Sequence, residues 1–285
     1  MRDLLRGCLG SLRRLDGCGR VDVVVVDNAS VDASVDMVRS EFSDVTVIAS
    51  SKNLGYPAAN NVALDALRSK PRRYEYLLLL NPDTVVPPLA LSRMIDLFEE
   101  FPSIGAAGPR LVRRDGSIDW ACRRGFPTPA TSIYHLAGLS RLFPRSRRFG
   151  RYRMTYLDER SLAVVDAVVG AFMLVRSEVV ESIGLLDDTF FMYGEDLDWA
   201  YRIKKAGWQV VYNGRVDVLH YKRESSRQSD RAPIEFYRSM LVFFQKHYAA
   251  ITPQPLRFMI ELSIRSLLTV AICRRVFARR LGNGS

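Results

Sequence analysis

Apolar residues along this chain come in short unbroken runs that alternate with stretches repeating every three or four positions. The run at 21–26, VDVVVV, is mostly β-branched and closes on the turn-forming tetrad Asp27-Asn28-Ala29-Ser30. Val31, Val35, Val38 and Phe42 then recur at helical spacing, and Val45 to Ile48 forms a second short run. Ala59, Val62, Ala63, Ala66 and Leu67 share one face of a helix predicted over 58–68. The run at 76–80, YLLLL, is apolar throughout, as a strand buried on both faces should be. Leu91, Met94, Ile95, Phe98 and Phe101 mark another helix, and Ile104 to Ala107 starts another strand. Strands alternating with helices across short turns predict an α/β fold, a mostly parallel sheet flanked by helices. Ligands of such sheets bind outside the carboxyl ends of the strands, which singles out Asp27 and Asp83.

The second half is less regular. Residues 113–160 are rich in Arg, Pro and Gly and read as long loops with short helices. Strands resume at about 164–175 and 209–219, around a helix at about 196–206. From Tyr237 the pattern turns helical, with Tyr237, Leu241, Phe244 and Tyr248 on one stripe. The chain therefore divides into a sheet domain over 1–225 and a C-terminal helical segment over 226–285.

Charge narrows the list of partners. Lys and Arg number 41 against 31 Asp and Glu, giving +10, and the excess is mostly Arg clustered at 141–153 and 274–280. Such a surface favours polyanions. No zinc finger, basic recognition helix or basic-aromatic RNA signature accompanies it, so nucleic acid is not an expected partner. The cysteines Cys8, Cys18, Cys122 and Cys273 have no Cys-x-x-Cys spacing and read as reduced, structural thiols. Met1 leads straight into an Arg-bearing amphipathic segment, which is no signal peptide. The nearest approach to a spanning helix, Phe258 to Cys273, carries Glu261 and Arg265 and suits lying on a membrane better than crossing it.

Four clusters carry candidate chemistry. In Leu80-Asn81-Pro82-Asp83-Thr84 a carboxylate directly follows a buried strand, held where a hard divalent cation and substrate phosphates could meet it. An Asx turn is an equally good account of the tetrad alone. Phe190 to Trp199, FFMYGEDLDW, places Glu195, Asp196 and Asp198 at a helix start behind an aromatic wall. Helix capping explains acids there; it does not explain the aromatics, whereas carboxylates at the lip of an apolar wall suit general-base work. Asp196 is the preferred base and Glu195 the orienting or acceptor-contacting group, with Tyr193, Asp198 and Trp199 as acceptor-site candidates. Asn53-Leu54-Gly55-Tyr56, before the helix bearing Asn60 and Asn61, lets backbone pass close to a ligand, although Asn-x-Gly is also an ordinary turn. His220 follows a strand, with Ser225 shortly after, and is either structural or a metal contact.

Together these segments resemble glycosyltransferase family 2, the inverting GT-A enzymes, and in particular its rhamnosyltransferase-like branch. The matching pieces are VVVVDNASVD at 23–32, NLGYPAANN at 53–61, LLLLNPDTVV at 77–86, GAFMLVRS at 170–177, FFMYGEDLDWAYR at 190–202 and the His220 region, in the family's order over about 1–225. The resemblance implies a nucleotide-diphospho-sugar transferase fold. It places Asp27 on the base or ribose, with Asn28, Asn53, Gly55, Asn60 and Asn81 also lining the nucleotide site. It makes Asp83 a ligand of Mg²⁺ or Mn²⁺, here Asn-Pro-Asp in place of Asp-x-Asp, Asp196 the catalytic base, and His220 a further metal or pyrophosphate contact. One departure stands out: the family's usual first strand is absent, because Met1 begins inside what reads as the first helix, Arg2 to Leu15. Either residues upstream of Met1 supply that strand or the sheet closes up differently.

The resemblance further implies a nucleotide-sugar donor, with dTDP-rhamnose expected, a polyprenyl-linked or polysaccharide acceptor, and a peripheral place at the cytoplasmic face of a bacterial plasma membrane. Leu256 to Leu281 suits an anionic membrane surface, with Arg274, Arg275, Arg279 and Arg280 beside apolar residues. The same helix could instead pack on its own domain or form a homodimer. The alternative function is a non-catalytic nucleotide-sugar-binding or scaffold subunit.

Overall fold

A computed structural model describes residues 1–222 and 231–282. The chain opens with α1 (Arg2–Leu12), then β1 (Val24–Asn28), α2 (Ser34–Glu41), β2 (Thr46–Ser50), α3 (Tyr56–Arg68) and β3 (Tyr76–Leu80). Next come β4 (Thr84–Val85), α4 (Ala90–Glu100) and β5 (Ile104–Val112). The irregular stretch after β5 holds a short 3₁₀ turn (Trp120–Cys122), α5 (Pro129–Leu136) and α6 (Leu139–Leu142). The rest is β6 (Leu162–Val165), β7 (Phe172–Arg176), α7 (Ser177–Ile183), α8 (Glu195–Lys205), β8 (Gln209–His220), α9 (Ala232–His247) and α10 (Gln254–Gly282).

The strands form two sheets. β1 and β2 pair in parallel by themselves. The other six run β3-β7-β5-β8-β4, with β6 also on β8. The expectation of a mostly parallel sheet needs correction: β5–β8 is parallel, whereas β3–β7, β5–β7, β4–β8 and β6–β8 are antiparallel. The cause is a turn inside the stretch expected to be one strand at 164–175. β6 ends at Val165, the chain bends through Asp166–Ala171, and β7 returns between β3 and β5. Asp166 sits at the bend, bonded by Lys204 Nζ at 2.7 Å and by the Phe126 amide at 3.1 Å.

The sheet does not close up in place of the family's first strand. β1 and β3 do not pair, and Val24, Val25, Val26, Leu78 and Leu80 remain half-buried along one cleft that α1 also lines. The core is divided accordingly. A small cluster of Leu5, Leu9, Met37, Val38 and Phe42 holds α1 and α2 to the β1–β2 sheet. The main core joins β3, β5, β7, β8, α4 and α8, and it includes Phe243, Phe244, Tyr248 and Ala249. The residues just after the helical boundary thus share the core of the sheet domain; the boundary itself, like Ser225, lies outside the described residues. All four cysteines are free. Among the described residues no helix is long and apolar enough to cross a membrane.

Candidate active site

The carboxyl ends of β1 and β3 and the amino end of α8 open onto one cleft of about 1840 Å³. Asp27, Asn28, Asn53, Gly55, Asn60, Asn81, Asp83, Tyr193, Glu195, Asp196 and His220 all line it, so most of the sequence-derived residues come together.

The end of the cleft expected to take the nucleotide is a braid of short polar links. Asp27 is buried at the end of β1 and its carboxylate accepts the Ser30 amide at 3.1 Å. The Asn28 side-chain amide donates to Asn53 Oδ1 and to the Gly55 carbonyl, both at 3.0 Å, while Asn28 Oδ1 accepts the Leu54 amide. Gly55 has φ +85°, and a Cβ there would lie 2.5 Å from the Phe191 carbonyl, so only glycine fits. That approach lets Tyr56 N donate to Phe191 O at 2.8 Å, joining the start of α3 to the loop before α8. Tyr56 Oη donates to the Gly170 carbonyl at 2.9 Å, and Asn60 turns back to the Tyr56 carbonyl.

Asp83 sits between β3 and β4, almost fully buried. His220, at the end of β8, brings Nε2 to 3.3 Å from Asp83 Oδ1 without hydrogen-bond alignment, leaving that oxygen without a hydrogen-bond partner. His220 Nδ1 meets Asp119 Oδ2 at 3.2 Å, and Lys222 Nζ binds the other Asp119 oxygen. Burial opposes charging of His220, but the flanking carboxylates Asp119 and Asp83 outweigh it and push its pKa up to about 9. Burial likewise works against the Asp119 carboxylate, yet His220 and Lys222 hold it well below its ordinary range. The buried, unpartnered oxygen of Asp83 fits a hard cation completed by phosphate oxygens, and His220 could join it as a ligand only by giving up the Nε2 proton that the flanking carboxylates favour. Among the described residues no three His, Cys, Asp or Glu converge on one point.

The candidate acid–base residues lie at the start of α8. Asp196 Oδ2 accepts Arg124 Nη2 at 2.6 Å and the Gly170 amide at 3.2 Å, and Oδ1 accepts the Leu197 amide. Glu195 is buried beside it with Oε2 unpartnered. Burial, with the Asp196 charge behind it, raises the Glu195 pKa to about 8. Tyr193 holds φ +71°, a conformation rare for a residue with a side chain, and stands near Phe236 of α9.

Two acceptor candidates are displaced from this role. Asp198 and Trp199 are fully buried and do not line the cleft. Asp198 accepts Arg202 Nε at 2.8 Å and lies 2.7 Å from both His247 Nε2 and Lys246 Nζ, and Trp199 Nε1 donates to Gly184 O. Burial raises the Asp198 pKa, but the hydrogen bonds from His247 and Lys246 and the Arg202 charge pull it down to about 2. The reason is helical period: Trp199, Ala200 and Ile203 form the core face of α8, and Asp198 locks α9 to α8. Conversely, the sequence reading missed Asp119, Arg124 and Lys222. All three line the cleft, but they lie in loops where no periodicity distinguishes a buried charge from a solvated one.

The family model for glycosyl transferase family 2 matches residues 2–184. The chain belongs to glycosyl transferase family 2. It is 29% identical over 269 residues to the N-acetylglucosaminyl-diphospho-decaprenol L-rhamnosyltransferase of Mycobacterium tuberculosis, covering 91% of this chain and 87% of that protein. It is 27% identical over 182 residues to rhamnosyltransferase WbbL of Escherichia coli, covering 61% of this chain and 63% of the relative. These relatives make it a rhamnosyltransferase-like member of the family. In fold it is similar to the mannosyltransferase PcManGT from Pyrobaculum calidifontis, solved with GDP-Man and Mn²⁺, at TM-score 0.59 and 18% identity over 100% of this chain and 73% of that one. The GT-A-type architecture expected from the motifs is therefore found.

Proposed function

We propose that this glycosyltransferase moves rhamnose from dTDP-rhamnose to a hydroxyl of a polyprenyl-diphosphate-linked glycan, with inversion, during synthesis of a bacterial cell-envelope glycan. The observation that carries the reading is the placement of the Asp83–His220 pair and the Asp196 carboxylate on one cleft with Asp27. The similarity to rhamnosyltransferases, one named for a decaprenol-linked substrate, supports the choice of donor and acceptor.

Asp27 and the Asn28–Asn53–Gly55 braid hold the nucleoside. Asp196 accepts the proton of the acceptor hydroxyl as its oxygen bonds to the anomeric carbon, and the bond from that carbon to the diphosphate oxygen breaks on the opposite side. Arg124 and the Gly170 amide hold the Asp196 carboxylate in place for that transfer. Asp83, with His220 beside it, would hold a divalent cation such as Mg²⁺ or Mn²⁺, which would supply a counter-charge for the departing diphosphate. Tyr193 and Phe236 form an apolar lip for the acceptor.

A second reading exchanges the two acids. Both Asp196 oxygens already accept hydrogen bonds, whereas Glu195 Oε2 accepts none, which favours Glu195 as the proton acceptor wherever its raised pKa leaves it ionised. The test is transfer from dTDP-rhamnose to a polyprenyl-diphosphate N-acetylglucosamine acceptor, with the new linkage read by NMR. An inverted rhamnosyl product lost in Asp196→Asn supports the proposal. Transfer only from a UDP-hexose overturns the donor, a product surviving Asp196→Asn but lost in Glu195→Gln selects the second reading, and binding without transfer points to the scaffold alternative.

A further inference from the structure

The last helix has an apolar face that the rest of the described protein does not cover. On α10, Phe258 is 68% exposed, Met259 57%, Leu262 53% and Phe277 69%. With Val270 and Val276 they follow one side of the helix, interleaved with the small residues Ser266, Thr269 and Cys273. Phe258 and Phe277 lie nineteen residues apart, about 28 Å along the axis. The opposite side is the anchored one: Ile264 is buried, Ile260 packs on the main core, and α10 lies along α9.

Charge identifies what covers the stripe. From Gln254 to Gly282 the sequence carries six arginines and one glutamate, and Glu261 is already paired with Arg257 at 2.9 Å and, more loosely, with Arg265 at 4.0 Å. Beyond Glu261 no acidic residue follows, and Arg265 and Arg274 stand exposed on the two flanks of the stripe. Two copies meeting along this face would oppose one all-basic rim with another. A sheet of lipid headgroups carrying negative charge meets both requirements, burying the phenylalanines and pairing the arginines. Crossing the bilayer is excluded for α10 because arginines interrupt every stretch long enough to span it.

We infer that α10 docks flat on an anionic lipid surface through the Phe258–Leu262–Val270–Phe277 stripe. The geometry gives the docking a direction. α9, on which α10 rests, also supplies Phe236, Ser239, Met240 and Phe243 to the wall of the cleft. A surface-bound α10 therefore holds that wall close to the headgroups.

The test is co-sedimentation of the full chain with vesicles of equal parts phosphatidylglycerol and phosphatidylcholine, beside vesicles of phosphatidylcholine alone. Binding to the anionic vesicles is expected to fall about a hundredfold or more in Phe258→Ser/Phe277→Ser and about thirtyfold in Arg265→Gln/Arg274→Gln at low salt. Circular dichroism and nucleotide affinity should be unchanged in both variants, since none of the four residues lines the cleft. Undiminished vesicle binding by the phenylalanine variant overturns the face. Equal binding to neutral vesicles overturns the charge argument. A concentration-dependent dimer in sedimentation velocity that the phenylalanine variant abolishes, with no vesicle binding by the parent chain, assigns the stripe to a second copy and overturns the inference.

Discussion

The two sheets of this transferase are built to different standards. Asp83, His220 and the acids of α8 rest on the six-stranded sheet, whose central strands β5, β7 and β8 are each paired on both sides and buried in one continuous core. Asp27 and Asn28 rest on β1, which has a partner on one edge and is held by a five-residue cluster. A two-stranded sheet is marginal without something to pack on. The groups proposed to move protons and face the leaving group are thus fixed by the fold, while those proposed to recognise the nucleoside stand on a lightly held platform.

Four outcomes would sharpen or break that contrast. The largest concerns the rigid half: Asp196→Asn should lower kcat by about 10²- to 10⁴-fold while leaving nucleotide affinity unchanged by calorimetry; a parallel loss of affinity would show that the halves are not independent. Next, Phe42→Ala should destabilise the β1–β2 unit by about 3–5 kcal/mol. Hydrogen exchange should then quicken at Val24–Val26 and Val47–Ile48 but not at Met173–Val175, and equal quickening in both sheets would merge them into one cooperative unit. Asp119→Asn should weaken Mn²⁺ binding, read by electron paramagnetic resonance in the presence of dTDP, by about 10- to 100-fold through loss of the group that orients His220. The smallest effect is a pH slope. Glu195 has its pKa raised from 4.5 to about 8, so the folded state holds the proton more tightly and this group's contribution to stability declines as pH rises across that window. Glu195→Gln should remove this slope, so that its melting temperature gains on the parent's by several degrees between pH 5 and pH 8; a constant difference would show that the carboxyl is not buried in solution.

Much of this was legible in local pattern. YLLLL at 76–80 and the valines before Asp27 became β3 and β1, and most of the motif residues from Asp27 to His220 converge on the cleft. Strand direction was not legible, because an apolar run says how deeply a strand is buried and nothing about which neighbour it finds. The run at 164–175 looks continuous, and only the contacts of Asp166 and Gly170 reveal the bend. Asp198 and Trp199 resembled a binding surface by composition, although the spacing of Trp199, Ala200 and Ile203 already described a core face. Asp119 and Arg124 act through partners more than 70 positions away, beyond the reach of any window.

Among the described residues, β1 and β3 each turn an edge without a strand partner toward the same cleft. Such edges template pairing with other chains, and proteins commonly blunt them with lysine, proline or a bulge. Neither strand does so: β3 is Tyr and four Leu, and β1 begins with three Val. Protection comes from α1, whose Leu4, Leu5, Cys8, Leu9 and Leu12 line the opening and whose Ser11 accepts the Val86 amide at 3.1 Å. Among the described residues, shielding of both edges therefore falls to one eleven-residue helix. Detaching α1 from the described fold would leave both edges free to template pairing with an extended segment.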